Sequence, residues 1–349
     1  MNTGMEDTMR GRSLGRNIAH EPNILARIKD RQRWPDASSH RSSIAAVLVV
    51  CSLIVASCAG AASSQSPSQA PANSSAPPPA SSSPTVAVSA SGPLVFQGSP
   101  LPTYSAPAGG LLSTIKQRGT LLNGMEATNA PWESVDPSGQ IVGFDVDLGQ
   151  KIAEHLGVKL DNIDTAFSGI IPSLYANKFD MILSSIVITA PRQQVVTFSQ
   201  PYVSDQLTIY TKASDQSVNS VKDLQGKVLC SQLNSAVEAQ AQAALQDANV
   251  TAKDFKSYPD FPSAFLDVNN GNCDAAAAGV FDGQLLMKQF PGRYRVAVLL
   301  PKFNYFAIAV RKPDTDLLNE VNAVIAQMRA DGSLAALQQK WLGVVTPLP

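Results

Sequence analysis

Residues 58–115 contain no charged residue, and this stretch separates a leader from the rest of the chain. Within residues 61–90, 24 of the 30 positions are Ala, Ser or Pro. Such a composition offers too little apolar surface to offset the entropy lost on ordering, so residues 58–110 are predicted to be a disordered tether. A packed fold is therefore expected beyond residue 110, over about 240 residues, a length typical of one or two domains.

The leader has the layout of a secretory signal. Residues 44–57 form an uncharged apolar run, too short for a hydrocarbon core that takes about 20 helical residues. A net-basic stretch precedes the run and small residues follow it, as in signal peptides.

The sequence V-A-S-C at residues 55–58 also resembles the lipobox of bacterial lipoproteins, whose cysteine is acylated. We therefore expect residues 1–57 to be a signal peptide and Cys58 to carry a lipid that anchors the exported protein on the outer face of the cell membrane. The alternative is an ordinary signal peptide with a chance cysteine.

Charge and histidine content argue against several classes of function. Lys and Arg number 27 against 28 Asp and Glu, and a mildly acidic body does not suit nucleic acid, which needs a clustered basic face. His155 is the one histidine beyond the leader, and no C-x-x-C occurs. Metal centres and Ser-His-Asp or Cys-His sites usually need these side chains. The sequence thus predicts no metal, no cofactor and no nucleic-acid partner.

Beyond about Gly110, short apolar strands alternate with amphipathic helices, a pattern typical of α/β layers. In one such helix, Leu148, Ile152 and Leu156 share a stripe, and Gly157 follows where helices often end. Strands are predicted at residues 120–123, 180–184, 207–211, 227–232, 274–278 and 306–310. Helices are predicted at residues 147–156, 168–177 with Ser168 as cap, 235–247, 317–329 and 334–341. Two α/β lobes joined by two extended crossings would explain this order.

Several ordered motifs resemble those of one protein family. They are G-F-D-V-D-L-x3-I-A-x-x-L (143–156), S-L-Y-A-N-K-F-D-M-I (173–182), I-T-A-P-R (188–192), F-S-Q-P-Y (198–202), D-L-Q-G-K (223–227), N-G-N-C-D-A (270–275) and D-G-S-L…K-W-L-G (331–343). Together they resemble family 3 of the extracellular solute-binding proteins, the polar amino-acid receptors of bacterial ABC importers. The resemblance covers about residues 112–345.

The resemblance implies a two-lobed α/β fold of the type II periplasmic-binding-protein class, with two crossing strands as its hinge. It implies a first lobe of residues 111–206 and 306–349, a second lobe of residues 207–305, and a ligand held in the cleft between them. The function implied is a monomeric, lipid-anchored receptor that delivers a polar amino acid or related small carboxylate to an ABC permease and ATPase complex. The alternative is an exported enzyme on the same fold, resembling cyclohexadienyl dehydratase, with Glu126 or Asp282 as general acid.

Arg192 is the residue that the resemblance assigns to the ligand carboxylate. Its planar guanidinium fits a carboxylate in a fork, and a surface ion pair is the alternative role. Ser185 and Val187 match positions that offer backbone groups to the ligand, although Val187 replaces the hydroxyl residue usual there.

The helix start at Ser235 is the second expected carboxylate contact. Ser235 and Glu238 form an S-x-x-E capping box, and free N–H groups at a helix start favour an anion. The resemblance assigns the backbone of Ser235 and Ala236 to the ligand, with a purely structural cap as the alternative.

Glu126, Asn129 and Phe167 match positions that meet the ligand side chain. Glu126 would hold a cationic or amide group, unless it is a solvated acid at the end of a strand. Asn129 stands where an aromatic residue often stacks, which predicts a more polar wall. Phe167 is either an apolar wall or core packing, and Trp132 in the same region is predicted to lie in the core.

Gly279 is the largest departure from the family pattern. Family members usually carry here an aspartate that binds the ligand ammonium, which glycine cannot do. Asp282 would substitute if a helix starts there, because residues i and i+3 share a helix face. The sequence therefore predicts a small carboxylate ligand, either an amino acid held by Glu126 or Asp282 or a derivative without a free α-ammonium.

Cys230 and Cys273 are the two cysteines outside the leader and its lipobox. Both stand at predicted strand edges of the second lobe, and export permits a disulfide between them. We expect that disulfide, with two buried thiols as the alternative.

Overall fold

The structure is a computed structural model that describes residues 94–349. The predicted signal peptide at residues 1–57, the lipid site at Cys58 and the tether up to residue 93 lie outside this range and stay predictions. Within the described range, no helix has both the length and the apolar composition needed to cross a bilayer.

Strands and helices alternate along the described chain. The strands are β1 (Val95–Phe96), β2 (Ser99–Pro100), β3 (Thr120–Met125), β4 (Thr128–Asn129), β5 (Glu133–Val135), β6 (Ile141–Val142), β7 (Lys159–Asp164), β8 (Met181–Ile182), β9 (Val196–Phe198), β10 (Val203–Lys212), β11 (Val228–Gln232), β12 (Asp254–Tyr258), β13 (Ala275–Gly279), β14 (Tyr294–Phe306) and β15 (Ala309–Arg311). The helices are α1 (Leu111–Arg118), α2 (Phe144–Leu156), α3 (Ile170–Tyr175), α4 (Ala190–Gln193), α5 (Ala236–Asp247), α6 (Phe261–Asn270), α7 (Val280–Gln289), α8 (Thr315–Ala330) and α9 (Ser333–Leu342).

The first lobe is built on a five-stranded sheet with the order β7-β3-β8-β15-β9. β3 lies parallel between β7 and β8, while β15 is antiparallel to β8 and β9. A parallel sheet centre must be covered on both faces. The predicted stripe of α2, made of Leu148, Ile152 and Leu156, is buried in the core cluster of this lobe.

The second lobe is built on a five-stranded sheet with the order β12-β11-β13-β10-β14. β11 is parallel to β12 and β13, and β10 is antiparallel to β13 and β14. Cys230 of β11 forms a disulfide with Cys273, which precedes β13, and their Cα atoms are 6.1 Å apart. The predicted disulfide is therefore confirmed.

The two chain segments that connect the lobes run side by side. Val203, which begins β10, pairs with Phe306, which ends β14, and the Tyr202 N–H donates to the Phe306 carbonyl at 2.9 Å. These observations confirm the predicted two-lobed α/β fold with two crossing strands.

Trp132 lies in the core, as predicted, and its side chain is fully buried. Its ring meets Phe144, Phe281 and Phe306 edge to face, with centroid distances of 5.9, 5.7 and 4.9 Å. Phe281 belongs to α7 of the second lobe, so this aromatic cluster joins the lobes beside the crossing strands.

Residues 94–110 pack against the first lobe, so the predicted tether is wrong for this segment. β1 and β2 form a hairpin, and Leu101 is buried in the cluster that contains α3. The Tyr104 hydroxyl donates to Asp314 at 2.6 Å, and the Arg311 guanidinium lies 4.1 Å from the centroid of the Tyr104 ring. Large apolar side chains such as Phe96, Leu101 and Tyr104 supply burial that the Ala/Ser/Pro tract cannot.

The predicted cap at Ser168 is also wrong. Ser168 lies inside a 3₁₀ turn, Phe167–Gly169, and α3 begins only after it, without a side-chain cap. Ser168 therefore cannot occupy the flanking position from which a cap bonds the first helical turn.

Candidate functional site

A cleft between the two lobes contains most of the predicted ligand-binding residues. It is lined by Asn129, Phe167, Ser185, Val187, Arg192, Asp205, Gln232, Ser235, Ala236, Val237, Phe261, Gly279, Asp282, Asn304 and Phe306. Of the predicted set, Glu126 is outside this lining, but it contacts Gln232, which belongs to it. Among residues 94–349 no cluster of His, Cys, Asp and Glu has an arrangement suited to a metal ion.

Arg192 is a buried cation at the first-lobe side of the cleft. Thr189 caps the short helix α4 that carries it, and the guanidinium donates to the Val187 carbonyl at 2.9 Å and to the Asn234 carbonyl at 3.1 Å. Its carbon Cζ lies 5.3 Å from the Phe167 ring centroid, within cation–π range. Burial lowers the pKa of Arg192 to about 10, so the group stays charged at neutral pH.

The backbone of Ser185 and Val187, just before Arg192 in the sequence, forms one wall of the cleft. Ser185 has a positive φ of 41°, a conformation that a non-glycine residue keeps only when its surroundings fix it. Its N–H donates to Asp145 at 2.6 Å, and its Oγ accepts from the Asn129 side chain at 3.0 Å. Val187 is 6% exposed, and its carbonyl accepts a hydrogen bond from the Arg192 guanidinium.

The buried carboxylates of Glu133 and Asp145 accept hydrogen bonds that hold this segment in place. Glu133 Oε1 accepts from the Ser184 hydroxyl at 2.7 Å, next to the Ser185–Asp145 contact. Burial and, second, the charge of Asp145 raise the pKa of Glu133 well above its usual range, and burial raises that of Asp145 to about 6. The pair therefore favours holding a proton at neutral pH.

Glu126 is buried rather than solvated, with 6% of the residue exposed. Its Oε2 accepts a hydrogen bond from Gln232 Nε2 of the second lobe at 2.5 Å. Burial is the main cause that raises the pKa of Glu126 to about 7. A cation placed beside this carboxylate would favour its ionised form.

Ser235 caps α5, as the sequence pattern predicts. Its Oγ accepts from the Glu238 N–H at 3.0 Å, while the Glu238 carboxylate accepts from the Asn234 N–H at 2.7 Å, one residue earlier than in a standard capping box. The N–H groups of Ala236 and Val237 stand in the first helical turn, where no intrahelical acceptor exists. Arg192 reaches this helix start through the Asn234 carbonyl.

Asp282 lies in the first turn of α7, which begins at Val280 as its predicted role requires. Its Oδ1 accepts from the Trp132 indole N–H at 2.7 Å, and its Oδ2 accepts from the Gly279 N–H at 3.2 Å. Burial raises the pKa of Asp282 to about 6, against the opposing effect of the Trp132 hydrogen bond.

Asp205 and Gln232 are cleft residues that the sequence analysis does not identify. Asp205 is 1% exposed near the start of β10, and Gln232 is 2% exposed at the end of β11. An acidic residue near the start of a crossing strand whose other charged residue, Lys212, stands at the opposite end is the one sequence signal that points to Asp205. For Gln232 the sequence offers no such signal.

Comparison with known families decides the relationship. The sequence model of the bacterial extracellular solute-binding proteins, family 3, matches residues 121–344, which is more than half of the chain. The chain belongs to this family. The resemblance carried by its motifs is therefore confirmed.

Individual members of family 3 support the same assignment. The L-cystine-binding protein TcyJ of Escherichia coli is 32% identical over 235 residues, covering 67% of this chain and 86% of that protein. An L-arginine-binding protein of Pseudomonas aeruginosa is 32% identical over 225 residues, covering 62% of this chain and 86% of that protein.

A solved structure also resembles this member of family 3. It is an ancestral amino-acid-binding protein, AncCDT-1, described as a precursor of cyclohexadienyl dehydratase. The TM-score is 0.61 at 32% identity, covering 66% of this chain and 98% of that one.

Proposed function

We propose that this protein is the lipid-anchored substrate-binding component of an ABC importer. It captures a polar amino acid or a related small carboxylate in the interlobe cleft and delivers it to a membrane permease and its ATPase. The observation that carries the proposal is the position of Arg192, a buried cation that reaches the start of α5 through the Asn234 carbonyl, 3.1 Å away.

A carboxylate fits this end of the cleft because donors converge there from both lobes. The Arg192 guanidinium presents a planar fork, and the first-turn N–H groups of Ala236 and Val237 add the positive end of a helix dipole. Ser185 adds a hydroxyl on the first-lobe side. An anion held between these groups would contact both lobes at once.

Contact with both lobes supplies the mechanism of capture. A ligand shifts a two-state clamp only through a higher affinity for the closed form. The lobes already meet through Trp132 with Asp282 and through Glu126 with Gln232. The bound carboxylate would add its own bridge, and the permease would recognise the closed form.

The choice of an amino acid as the ligand draws on the relatives. The names of two of them give cystine and arginine as ligands, and Glu126 would suit a cationic or amide group at the far end of such a ligand. To test the class, protein purified from its native membrane would be analysed by native mass spectrometry for co-purifying ligand. Calorimetry with the protein amino acids and L-cystine would follow, and no binding heat from any of them would reject an amino-acid receptor.

The lipid anchor is tested at Cys58. Metabolic labelling with a fatty acid should mark the natural chain and leave the Cys58→Ala variant unlabelled and released from the membrane. Cys51→Ala, which removes a cysteine seven residues earlier in the same leader, is the matched control and should keep both label and anchor. Equal labelling of the natural chain and Cys58→Ala would contradict the anchor.

An enzyme on this fold is the second candidate, because a buried carboxylate with a pKa near neutrality, such as Glu126, suits a general acid. Incubating the captured ligand with pure protein separates the two functions. Recovery of unchanged ligand from a tight complex supports the receptor. Conversion of more than one ligand molecule per protein molecule supports the enzyme. Sedimentation of the same sample tests the proposed monomer.

A further inference from the structure

The buried carboxylate of Asp205 faces the cleft, and only one of its two oxygens accepts hydrogen bonds. Its Oδ1 accepts hydrogen bonds from the N–H groups of Gln206 at 2.7 Å and Val280 at 3.0 Å. Its Oδ2 accepts no hydrogen bond from any residue of the described chain, although the residue is 1% exposed. A buried polar atom without a partner is costly and calls for an explanation.

The unpaired oxygen points to the place where a side chain at position 279 would start. A Cβ atom built on Gly279 would overlap Asp205 Oδ2 and would lie 2.7 Å from Asp282 Oδ2. The carboxylates of Asp205 and Asp282 thus converge on one point above β13. The absence of a side chain at position 279 is what makes room for them.

The two acids have no cation of the described chain beside them. Arg192 is the only basic residue that lines the cleft within residues 94–349, and its guanidinium bonds the carbonyls of Val187 and Asn234 instead. Two like charges in a buried site oppose each other's ionisation. In line with this, burial and, second, the charge of Asp282 raise the pKa of Asp205 well above its usual range.

We propose that Asp205, together with Asp282, binds the ammonium group of the ligand and so replaces a carboxylate at position 279. An ammonium group has three N–H donors and no acceptor, so it can satisfy Asp205 Oδ2 and neutralise the pair at the same time. The ligand is then a molecule with both a carboxylate and a free primary ammonium. This excludes the N-acylated or deaminated derivatives that Gly279 alone would allow.

This inference rests on the proposed function, in which Arg192 holds the carboxylate of the same ligand. The test therefore separates the two groups of the ligand. Calorimetry on the full chain would use the protein amino acids and L-cystine, each paired with its Nα-acetyl derivative, and succinate and glutarate as carboxylates without nitrogen.

We expect at least one free amino acid to bind, and its Nα-acetyl derivative to bind at least about 100-fold more weakly, as expected when a buried charge loses its partner. Asp205→Asn should weaken binding of the free amino acid by a similar factor. This variant keeps the Oδ1 acceptor for the two backbone N–H groups, so its thermal midpoint should stay close to that of the natural chain.

A reciprocal exchange provides the sharper test. Gly279→Asp alone should lose binding, because its Cβ overlaps Asp205 and a third carboxylate joins the pair. Combining Gly279→Asp with Asp205→Gly moves one carboxylate from position 205 to position 279. The double variant should regain an affinity within about tenfold of the natural chain, because the effects of substitutions at neighbouring positions are strongly non-additive. The exchange also covers the case in which Asp205→Asn fails to fold.

The possible failures are distinguishable. If Asp205→Asn binds the free amino acid as tightly as the natural chain, or if acetylation has no effect, the inference is overturned and the receptor function stands. If only succinate, glutarate or acetylated forms bind, the same conclusion holds. If none of the compounds binds, both the inference and the amino-acid receptor are rejected.

Discussion

Trp132 of the first lobe donates its indole N–H to the Asp282 carboxylate of the second lobe at 2.7 Å. The bond joins the aromatic core beside the crossing strands to one of the two acids in the cleft. Because it spans the lobes, it exists only while they are together, and any change in it should alter the equilibrium between open and closed forms.

We expect Trp132→Phe to weaken ligand binding by about ten- to 100-fold, since a hydrogen bond to a charged group contributes roughly 1.5–3 kcal/mol. Phenylalanine keeps an aromatic ring among Phe144, Phe281 and Phe306 but has no donor for Asp282. The matched control is Trp341→Phe, which loses an indole bond to Asp147 of 2.7 Å within the first lobe. Calorimetry should show unchanged affinity for the control, and equal losses in both variants would contradict a role in closure.

Arg192→Lys should reduce ligand affinity by at least about 100-fold, because the lysine ammonium cannot present the planar fork that bonds both oxygens of a carboxylate. Arg118→Lys serves as the control, since Arg118 pairs with Asp180 in the first lobe and does not line the cleft. Fluorescence titration with the ligand found by mass spectrometry measures both variants. Retained affinity in Arg192→Lys would remove the main support for carboxylate capture.

The contrast between Arg192 and Asp205 shows how far the sequence could predict this site. Arg192 and Ser235 depend on local signals, a Pro-containing helix start and an S-x-x-E cap, and both occur where the pattern places them. Asp205 faces Gly279 only because β10 pairs with β13 in the register Leu207 to Gly279. Pairing over such a sequence separation is set by tertiary packing and cannot be obtained from one sequence.

The fold was predictable to a similar extent. Amphipathic helices such as α2, α8 and α9 follow from their periodicity, and the family motifs give the two lobes. Strand β12 lacks a clear period, and the hairpin at residues 95–100 follows a low-complexity tract with few apolar residues. In these two segments tertiary burial, rather than local propensity, determines the structure. Helix α6 has helical spacing of its buried residues, Phe261, Ala264, Phe265 and Val268, so its pattern could have predicted it.

Removing the disulfide should lower stability without changing binding. The bond closes a loop with a sequence separation of 43 residues, for which the chain-entropy model gives about 4 kcal/mol. Neither Cys230 nor Cys273 lines the cleft. We expect the double variant Cys230→Ala with Cys273→Ala to melt on the order of 10 °C lower by calorimetry. An unchanged midpoint that is also insensitive to reductant would show that the bond contributes nothing in solution.

The ligand-free protein should become less stable as the pH rises from about 5 to about 7.5. The pKa values of Asp145 and Asp282 are raised to about 6, and that of Glu126 to about 7, mainly by burial. In this range the folded state holds protons that the unfolded state has released, so the free energy of unfolding falls with increasing pH. Thermal midpoints across the range measure the trend.

Asp282→Asn is the control for that pH dependence. It removes one of the three acids while keeping an oxygen acceptor for Trp132. The slope of stability against pH should become shallower in this variant. A midpoint that increases with pH over the same range in the natural chain would contradict the raised pKa values.

Glu133→Gln should be tolerated, whereas Glu133→Ala should not. Both oxygens of Glu133 are buried, and Oε1 accepts from the Ser184 hydroxyl while the charge of Asp145 helps to raise the pKa of the acid. Glutamine keeps the acceptor and gives Asp145 a neutral neighbour with an amide donor, so stability at pH 8 should be equal or higher by about 1 kcal/mol. Alanine leaves the buried Ser184 hydroxyl without its acceptor and opens a cavity beside Asp145, for which we expect a loss of about 1–3 kcal/mol. Urea unfolding at pH 8 and pH 5.5 compares the variants, and a glutamine variant as unstable as the alanine one would contradict a proton shared by the pair.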